Sequence, residues 1–354
     1  MMRKTTISSR FLFGTTLLTI LLWSCGNRSN HQDNNENALT VTINDYEDHI
    51  IRHADFAANV DSIALRTGQF FMGTVADMCL HDSVAYVIDR PGSAWAFNLP
   101  CGKLMKRIQR IGHGNGEYIS LHAIDVKDST VYLLDSEAGM VLAHDLMFNF
   151  KKSFRLNFPA LDFIKIDDGF LFCNLNTTPE LHRFVHTDND GNIVGSYLPS
   201  EMEMDMISDS HVFTQDEKGN VFMYEPYSDD IYQWTTQGPQ LAFRTDYGKD
   251  AHKKDAKESR EISNSTKIFN ASFFVTQDYF INSFIQDHTR YYSFKPLDKA
   301  SHLQGFVDTA ACIPFYPIAQ YKDGLTGICH TSDLDKWKPK KDSCDAVLFI
   351  FHLK

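Results

Sequence analysis

The octapeptide Asp82-Ser83-Val84-Ala85-Tyr86-Val87-Ile88-Asp89 returns as Asp128-Ser129-Thr130-Val131-Tyr132-Leu133-Leu134-Asp135, a displacement of 46 residues (128 − 82). A period of that size confines the chain to folds built from one repeated supersecondary unit, because a single unit cannot cover both of its apolar faces. Each copy is a β-branched and aromatic run of strand length bounded by Asp. A short polar turn and a further strand follow each copy, Ala94-Trp95-Ala96-Phe97-Asn98 in the first and Val141-Leu142-Ala143-His144-Asp145 in the second. Another turn then leads to a fourth extended stretch. Weaker copies begin near Asp190-Gly191-Asn192 and Lys218-Gly219-Asn220.

Four strands in about 40 to 60 residues, repeated in series, is the pattern of a β-propeller blade. The expected fold is therefore all-β, with four-stranded antiparallel blades, and five or six such units fit between residues 60 and 354. The apolar run Ala346-Val347-Leu348-Phe349-Ile350-Phe351 at the C-terminus and Val60-Asp61-Ser62-Ile63-Ala64-Leu65 near the other end are expected to share a blade and close the ring, which hides the terminal sheet edges. The 27 Phe and 14 Tyr would then pack chiefly between blades. Residues 249–267 are charged and lack strand character, so they read as a short helix or an exposed loop on one rim.

The first 24 residues stand outside this pattern. Arg3, Lys4 and Arg10 precede a mostly apolar stretch over residues 11–23, which is shorter than the ~20 residues a membrane-spanning helix needs. This is the layout of a secretory signal. It ends in Leu22-Trp23-Ser24-Cys25-Gly26, which resembles a bacterial lipobox with Cys25 as the lipid-attachment residue, although Trp23 occupies a place where small residues are usual. Residues 26–37 contain no hydrophobic side chain, as suits a flexible tether. The expected organisation is a signal peptide over 1–24, a tether over 25–40 and a propeller over 41–354. Loss of the signal removes three positive charges and no negative one, taking the net charge from −11 to −14. Nucleic acid is then an unsuitable partner, since phosphate binding depends on clustered Lys and Arg.

Of the seven cysteines, six remain beside Cys25. They form no CxxC pair, and several lie in apolar runs where a buried free thiol is the expected state.

One loop carries a family resemblance. Arg110-Ile111-Gly112-His113-Gly114-Asn115-Gly116-Glu117-Tyr118 resembles the G-x-G-P-G-E-Y signature of six-bladed β-propeller lipoproteins of Bacteroidetes, with Asn115 in the place of Pro. These are NHL/TolB-like propellers of uncharacterised function. Asn270-Ala271-Ser272-Phe273-Phe274-Val275-Thr276-Gln277-Asp278-Tyr279, Ile313-Pro314-Phe315-Tyr316-Pro317 and the closing His352-Leu353-Lys354 extend the likeness over residues 40–354. The resemblance implies six blades, a lipid anchor and a site in the cell envelope, on the outer membrane. It carries over no catalytic residue, because the family has no common reaction.

The chemistry-bearing patterns each have a structural explanation. Gly112, Gly114 and Gly116 are a turn between blades, since a dinucleotide fingerprint needs a helix after it and here another strand follows. Glu117 and Tyr118 are expected to fix that crossover, with ligand contact as the alternative. His186-x-Asp188-x-Asp190-Gly191 departs from a calcium loop at its first position and, with Tyr197, at its twelfth, and reads as a hairpin turn. His49 and His53 share a helical face if residues 45–53 form an exposed linker helix, but they lack the Glu and third ligand of a zinc site. Asp167-Asp168 and Asp229-Asp230 sit at turns. No metal and no cofactor is expected.

Two functions remain. The first is a non-catalytic binding or scaffold module for a glycan, peptide or partner protein; the second is a polysaccharide lyase or glycoside hydrolase working in the central funnel. An enzyme would gather His, Arg, Tyr and carboxylates with displaced titration at one funnel mouth, whereas a scaffold would show a broad apolar rim patch. The anchor is testable directly. In a detergent-partition assay the wild-type protein enters the detergent phase and incorporates labelled palmitate, and Cys25→Ala does neither; a Cys25→Ala chain that still does both contradicts the anchor.

Overall fold

The computed structural model describes residues 38–202, 211–252, 266–308, 313–334 and 345–354. The signal segment, Cys25, nearly all of the tether, most of the charged segment 249–267, Cys312 and Cys344 lie outside the described residues. The chain enters through β1 (Leu39–Thr42), β2 (Ile50–Ile51), the four-residue helix α1 (His53–Phe56) and β3 (Ala57–Leu65). Blade 1 follows as β4 (Thr74–His81), β5 (Val84–Arg90), β6 (Ala94–Asn98) and β7 (Lys103–Ile108). Blade 2 is β8 (Leu121–Lys127), β9 (Thr130–Asp135), β10 (Met140–Asp145) and β11 (Phe150–Arg155). Blade 3 is β12 (Ala160–Ile166), β13 (Gly169–Asn174), β14 (Phe184–Thr187) and β15 (Ile193–Tyr197). Blade 4 is β16 (Phe213–Gln215), β17 (Val221–Tyr224), β18 (Asp230–Thr235) and β19 (Gly238–Asp246). Blade 5 is β20 (Phe269–Val275), β21 (Tyr279–Gln286), β22 (Thr289–Pro296) and β23 (Leu303–Val307). Blade 6 takes β24 (Ala319–Tyr321), β25 (Gly324–His330) and β26 (Ala346–Leu353) from the C-terminus and β3 as its outermost strand.

These six sheets make a six-bladed β-propeller. Each blade is an antiparallel meander whose first strand lies at the ring axis, and the ring closes as expected: Val60 pairs with Phe351 and Leu65 with Ala346. The repeated octapeptides are the second strands β5 and β9, together with the turns before them. Asp82 and Asp128 take positive φ, 52° and 49°, a conformation that Asp tolerates better than most residues.

Burial follows position in the blade. The middle and inner strands are covered on both sides by neighbouring blades, so β12 and β13 are buried at every residue. The outermost β7 and β11 face solvent over much of their length. Each of the six seams between blades is filled by an apolar cluster. Tyr86, Ile88, Leu133 and Phe148 fill the first seam, and Phe56, Phe294, Phe315 and Phe351 the fifth. In the latter, Phe56 stacks on Phe294 at 4.4 Å while Phe315 meets Phe351 edge-on at 4.9 Å, the geometries that aromatic quadrupoles prefer.

The N-terminal segment departs from the expected plan. Instead of a linker helix over residues 45–53, Ile50–Ile51 pairs in parallel with β23, and β1 pairs in parallel with β19. Blades 4 and 5 are thus five-stranded mixed sheets. The two isoleucines prefer an extended, packed edge to an isolated helical turn; the amide of Phe306 donates to the carbonyl of His49 at 2.8 Å, and Ile51 is fully buried. His49 and His53 therefore share no helical face, and the His53 ring instead packs against Phe56 and Phe351. Beyond β3, the Arg66 amide donates to the Gly102 carbonyl at 2.8 Å, so the segment reaches the edge of blade 1. No helix among the described residues is long and apolar enough to cross a membrane.

One core residue sets a pH dependence. His144 is fully buried between Phe148 and Phe150, and burial, reinforced by Arg110, holds its pKa down at about 4. The unfolded chain binds this proton near pH 6.5 and the folded one does not. Stability from His144 is therefore complete above pH 6.5 and declines as pH falls towards 4, by about 3 kcal/mol in all. Chemical denaturation at pH 7 and pH 4.5 should show a smaller loss for His144→Leu than for wild type.

Candidate functional site

The innermost strands splay apart at the axis and cannot pair with one another, which leaves backbone N–H groups there to be satisfied by other means. Three aspartates meet that need in the same way. Asp77 on β4 accepts from its neighbour Met78 and, across the seam, from the amide of Ile124 on β8 at 2.8 Å. Asp125 on β8 accepts from Val126 and from Lys165 on β12 at 2.7 Å. Asp162 on β12 accepts from Phe163 and from Val212, just before β16, at 2.9 Å. Each carboxylate thus staples one inner strand to the next.

Above two of these staples the axis opens into a cavity of about 480 Å³. Its lining comes from the starts of the inner strands and the loops beside them, so the cavity lies at the mouth of the ring where those strands begin. Asp77, Asp162 and His211 converge in it, with His211 Nε2 at 3.4 Å from Asp77 Oδ1. His122, Glu137 and Ser120 come from blade 2, Arg90 from blade 1, and Ser272, Arg290 and Tyr292 from blade 5. Thr214 Oγ1 donates to Gln320 Oε1 at 3.2 Å, linking the inner strands of blades 4 and 6. The cavity, lined from several blades and partly open, is a cup.

Electrostatics in the cup run against the ordinary carboxylate state. Burial pushes both Asp77 and Asp162 well above the usual carboxylate range; for Asp162 the nearby Asp77 adds to this, and the backbone N–H donors only partly offset it. Tyr292 spends its hydroxyl on the carbonyl of Phe315 at 2.7 Å. Tyr316 is half exposed at the rim.

The loop singled out in the sequence lies beside the cup. Its two arms, Arg110–Gly112 and Tyr118, pair backbone to backbone, and Gly116 takes φ 74° at the bend. Glu117 folds back to accept from the amide of Gly114 at 2.7 Å. A Cβ on Gly112 would stand 2.2 Å from that carboxylate, so Gly at this position keeps the loop closed. Tyr118 is fully buried, donates to the carbonyl of Gly92 at 2.8 Å and accepts from the amide of Arg110. Gly112, Gly114, Gly116, Glu117 and Tyr118 thus come together, at the seam of blades 1 and 2, and the strand they lead into supplies Ser120 and His122 to the cup. Cys25 lies outside the described residues.

Of the other sequence motifs, Asn270–Tyr279 supplies Ser272 and Ile313–Pro317 supplies Tyr316 and Pro317 to the cup, whereas the Asp-rich turns do not reach it. Asp188 accepts from the amides of Asp190 and Asn192 and from the Asn192 side chain, an Asx turn repeated at Asp145–Asn149 and Asp216–Asn220. Asp230 forms a two-pronged pair with Arg244, and Asp167 pairs with Lys127. Among the described residues no group of three or more His, Cys, Asp or Glu is placed to hold a metal ion, and Cys79, Cys101, Cys173 and Cys329 are free thiols.

Residues 39–347, from β1 into β26, match the Domain of unknown function (DUF4934). The chain belongs to the DUF4934 family. No curated protein matches it in sequence. The DUF4934 ring is similar to a "putative exported protein" of Bacteroides fragilis NCTC 9343, with a TM-score of 0.71 at 16% identity over 86% of this chain and 100% of that one. It is also similar to a member of the duf4221 family from Bacteroides vulgatus ATCC 8482, with a TM-score of 0.56 at 10% identity over 84% of this chain and 97% of that one. At such identities the likeness is one of fold.

Proposed function

We propose that this DUF4934 propeller is an exported, lipid-anchored protein of the bacterial envelope that binds a small polar ligand, a glycan or peptide fragment, in the cup at its axis. The cup carries this reading: a cavity of about 480 Å³ falls within the ~300–1,000 Å³ of small-molecule sites and has several polar groups converging on it. Export is supported by the signal-like first 24 residues and by the name of the Bacteroides fragilis fold relative. Lipid attachment at Cys25, an outer-membrane position, a Bacteroidetes source and the NHL/TolB-like type rest on the sequence resemblance. The membrane is then a partner through the anchor only.

A second reading, a lyase or hydrolase in the same cup, is favoured by one arrangement. Asp77, His211 and Asp162 form a titratable cluster whose buried carboxyls hold protons more tightly than free ones, a property that general acid–base chemistry uses. Both Asp77 and Asp162 are nevertheless committed to backbone amides, which makes them positioning groups in the first instance. The mature chain in detergent micelles, offered envelope and dietary glycan and peptide fragments, should show saturable binding that falls at least tenfold in His211→Ala without a change in thermal midpoint. Undiminished binding in that variant places the ligand elsewhere, and new reducing or unsaturated ends with the wild type establish the enzyme.

A further inference from the structure

The arginines of the ring divide by what they face. Arg183 is fully buried and meets Glu225 at 3.0 Å, Arg244 pairs with Asp230, and Arg107 bonds Ser93 and Gln109 while lying over the rings of Phe70 and Trp95. Arg290 does none of this. It is half-buried, lines the cup, and makes a single hydrogen bond, Nη1 to Ser283 Oγ at 2.9 Å, with no carboxylate partner among the described residues. Ser283 Oγ is itself bonded to Ser272 Oγ at 2.8 Å, so the guanidinium is held in place by a short hydroxyl chain from the inner strand of blade 5. The Arg90 side chain, exposed at the same cavity, makes no hydrogen bond or ion pair among the described residues.

A guanidinium carries five N–H donors in a planar fork matched to an oxyanion. Arg290 uses one of them within the protein, in a chain with 45 acidic against 34 basic residues, where a carboxylate partner would be easy to supply. Elsewhere in the lining, the carboxyls of Asp77 and Asp162 are turned to backbone amides and held towards the neutral form by burial. Glu137, exposed at the cup, is the remaining acidic group of the lining. The cup therefore offers two arginines to an anion, Arg290 from blade 5 and Arg90 from blade 1, with hydrogen-bonding groups (Ser120, His122, His211) beside them in the lining.

Resting on the binding reading of the cup, we infer that its ligand is a small polyhydroxylated anion whose oxyanion is held by the Arg290 guanidinium, with Arg90 at the entrance adding attraction. A guanidinium held by a single internal bond can offer an oxyanion a charge-assisted, two-pronged contact, which is shorter and about twice as strong as one between neutral groups.

The test compares galacturonate, galactose 6-sulfate and neutral galactose by titration calorimetry against the full mature chain in micelles. The inference expects at least tenfold tighter binding of one of the anions than of galactose, a preference abolished in Arg290→Gln, partly restored in Arg290→Lys and weakened in Arg90→Gln. Preference for galacturonate assigns a carboxylate, and preference for galactose 6-sulfate assigns a sulfate. Should Arg290→Gln lose its fold, the wild-type preference and its decline on raising salt from 50 to 500 mM decide the matter. Equal affinity for galactose and the anions, or a preference that survives in Arg290→Gln, overturns the anion assignment, and the cup reading stands if His211→Ala then abolishes binding of all three. Absence of binding by any of the three sugars overturns the assignment too, and fragments that bind in a His211-dependent way would show that the cup itself is still a site.

Discussion

The ring depends on how its inner strands are joined at the axis, where no sheet hydrogen bonds can cross. At the seams of blades 1–2, 2–3 and 3–4 the joint is a carboxylate, Asp77, Asp125 or Asp162, accepting one amide from its own strand and one from the next. A hydrogen bond to such a buried carboxyl is worth about 0.5–1.5 kcal/mol net, and leaving its buried donor unmet costs about 1–3 kcal/mol. The inner strands β16, β20 and β24 contain no acidic residue, so blades 4, 5 and 6 are joined differently. There the N-terminal segment runs along the outer edges, pairing with β19, β23 and β26 in turn and then touching blade 1 at Gly102. Three seams are stapled from inside and the other three are strapped from outside.

This division explains why the cup is polar. Asp77 and Asp162 are present because the seams need them, and their burial displaces their titration whatever the cup does. The blades without staples are free to place Ser272, Arg290 and Tyr292 at the same cavity. Structural carboxyls from blades 1 and 3 and an uncommitted guanidinium from blade 5 give the cup its polarity. Aromatic residues contribute mainly at the seams, where stacked and edge-on rings hold neighbouring blades together.

Much of this fold is legible in the chain. The 46-residue displacement, the apolar C-terminal strand and its partner at Val60–Leu65 identify the blade and the closure because they obey local rules of periodicity and turn chemistry. The strap is not legible. Leu39–Thr42 and Ile50–Ile51 are too short to show a period, and their partners lie about 200 and 250 residues away, so His49 and His53 read as a helix face when the backbone between them is a strand. The cup is hidden for a related reason: residues 77, 162, 211 and 290 meet only when the ring closes. One signal was present in each stapled blade, a lone Asp inside an apolar inner strand, as in Ala76-Asp77-Met78 and Leu161-Asp162-Phe163. The Gly112–Tyr118 loop is legible in the sequence because its residues are contiguous, and it packs the seam beside the cup.

Native-state hydrogen exchange tests the stapled axis most directly. Asp125 joins blades 2 and 3 without lining the cup, so its removal isolates the joint from any ligand. In Asp125→Ala the Lys165 amide should exchange about 10- to 100-fold faster relative to blade-interior amides such as that of Leu133, the equivalent of ~1.5–3 kcal/mol. Equal acceleration of both amides, or none at Lys165, would contradict the account.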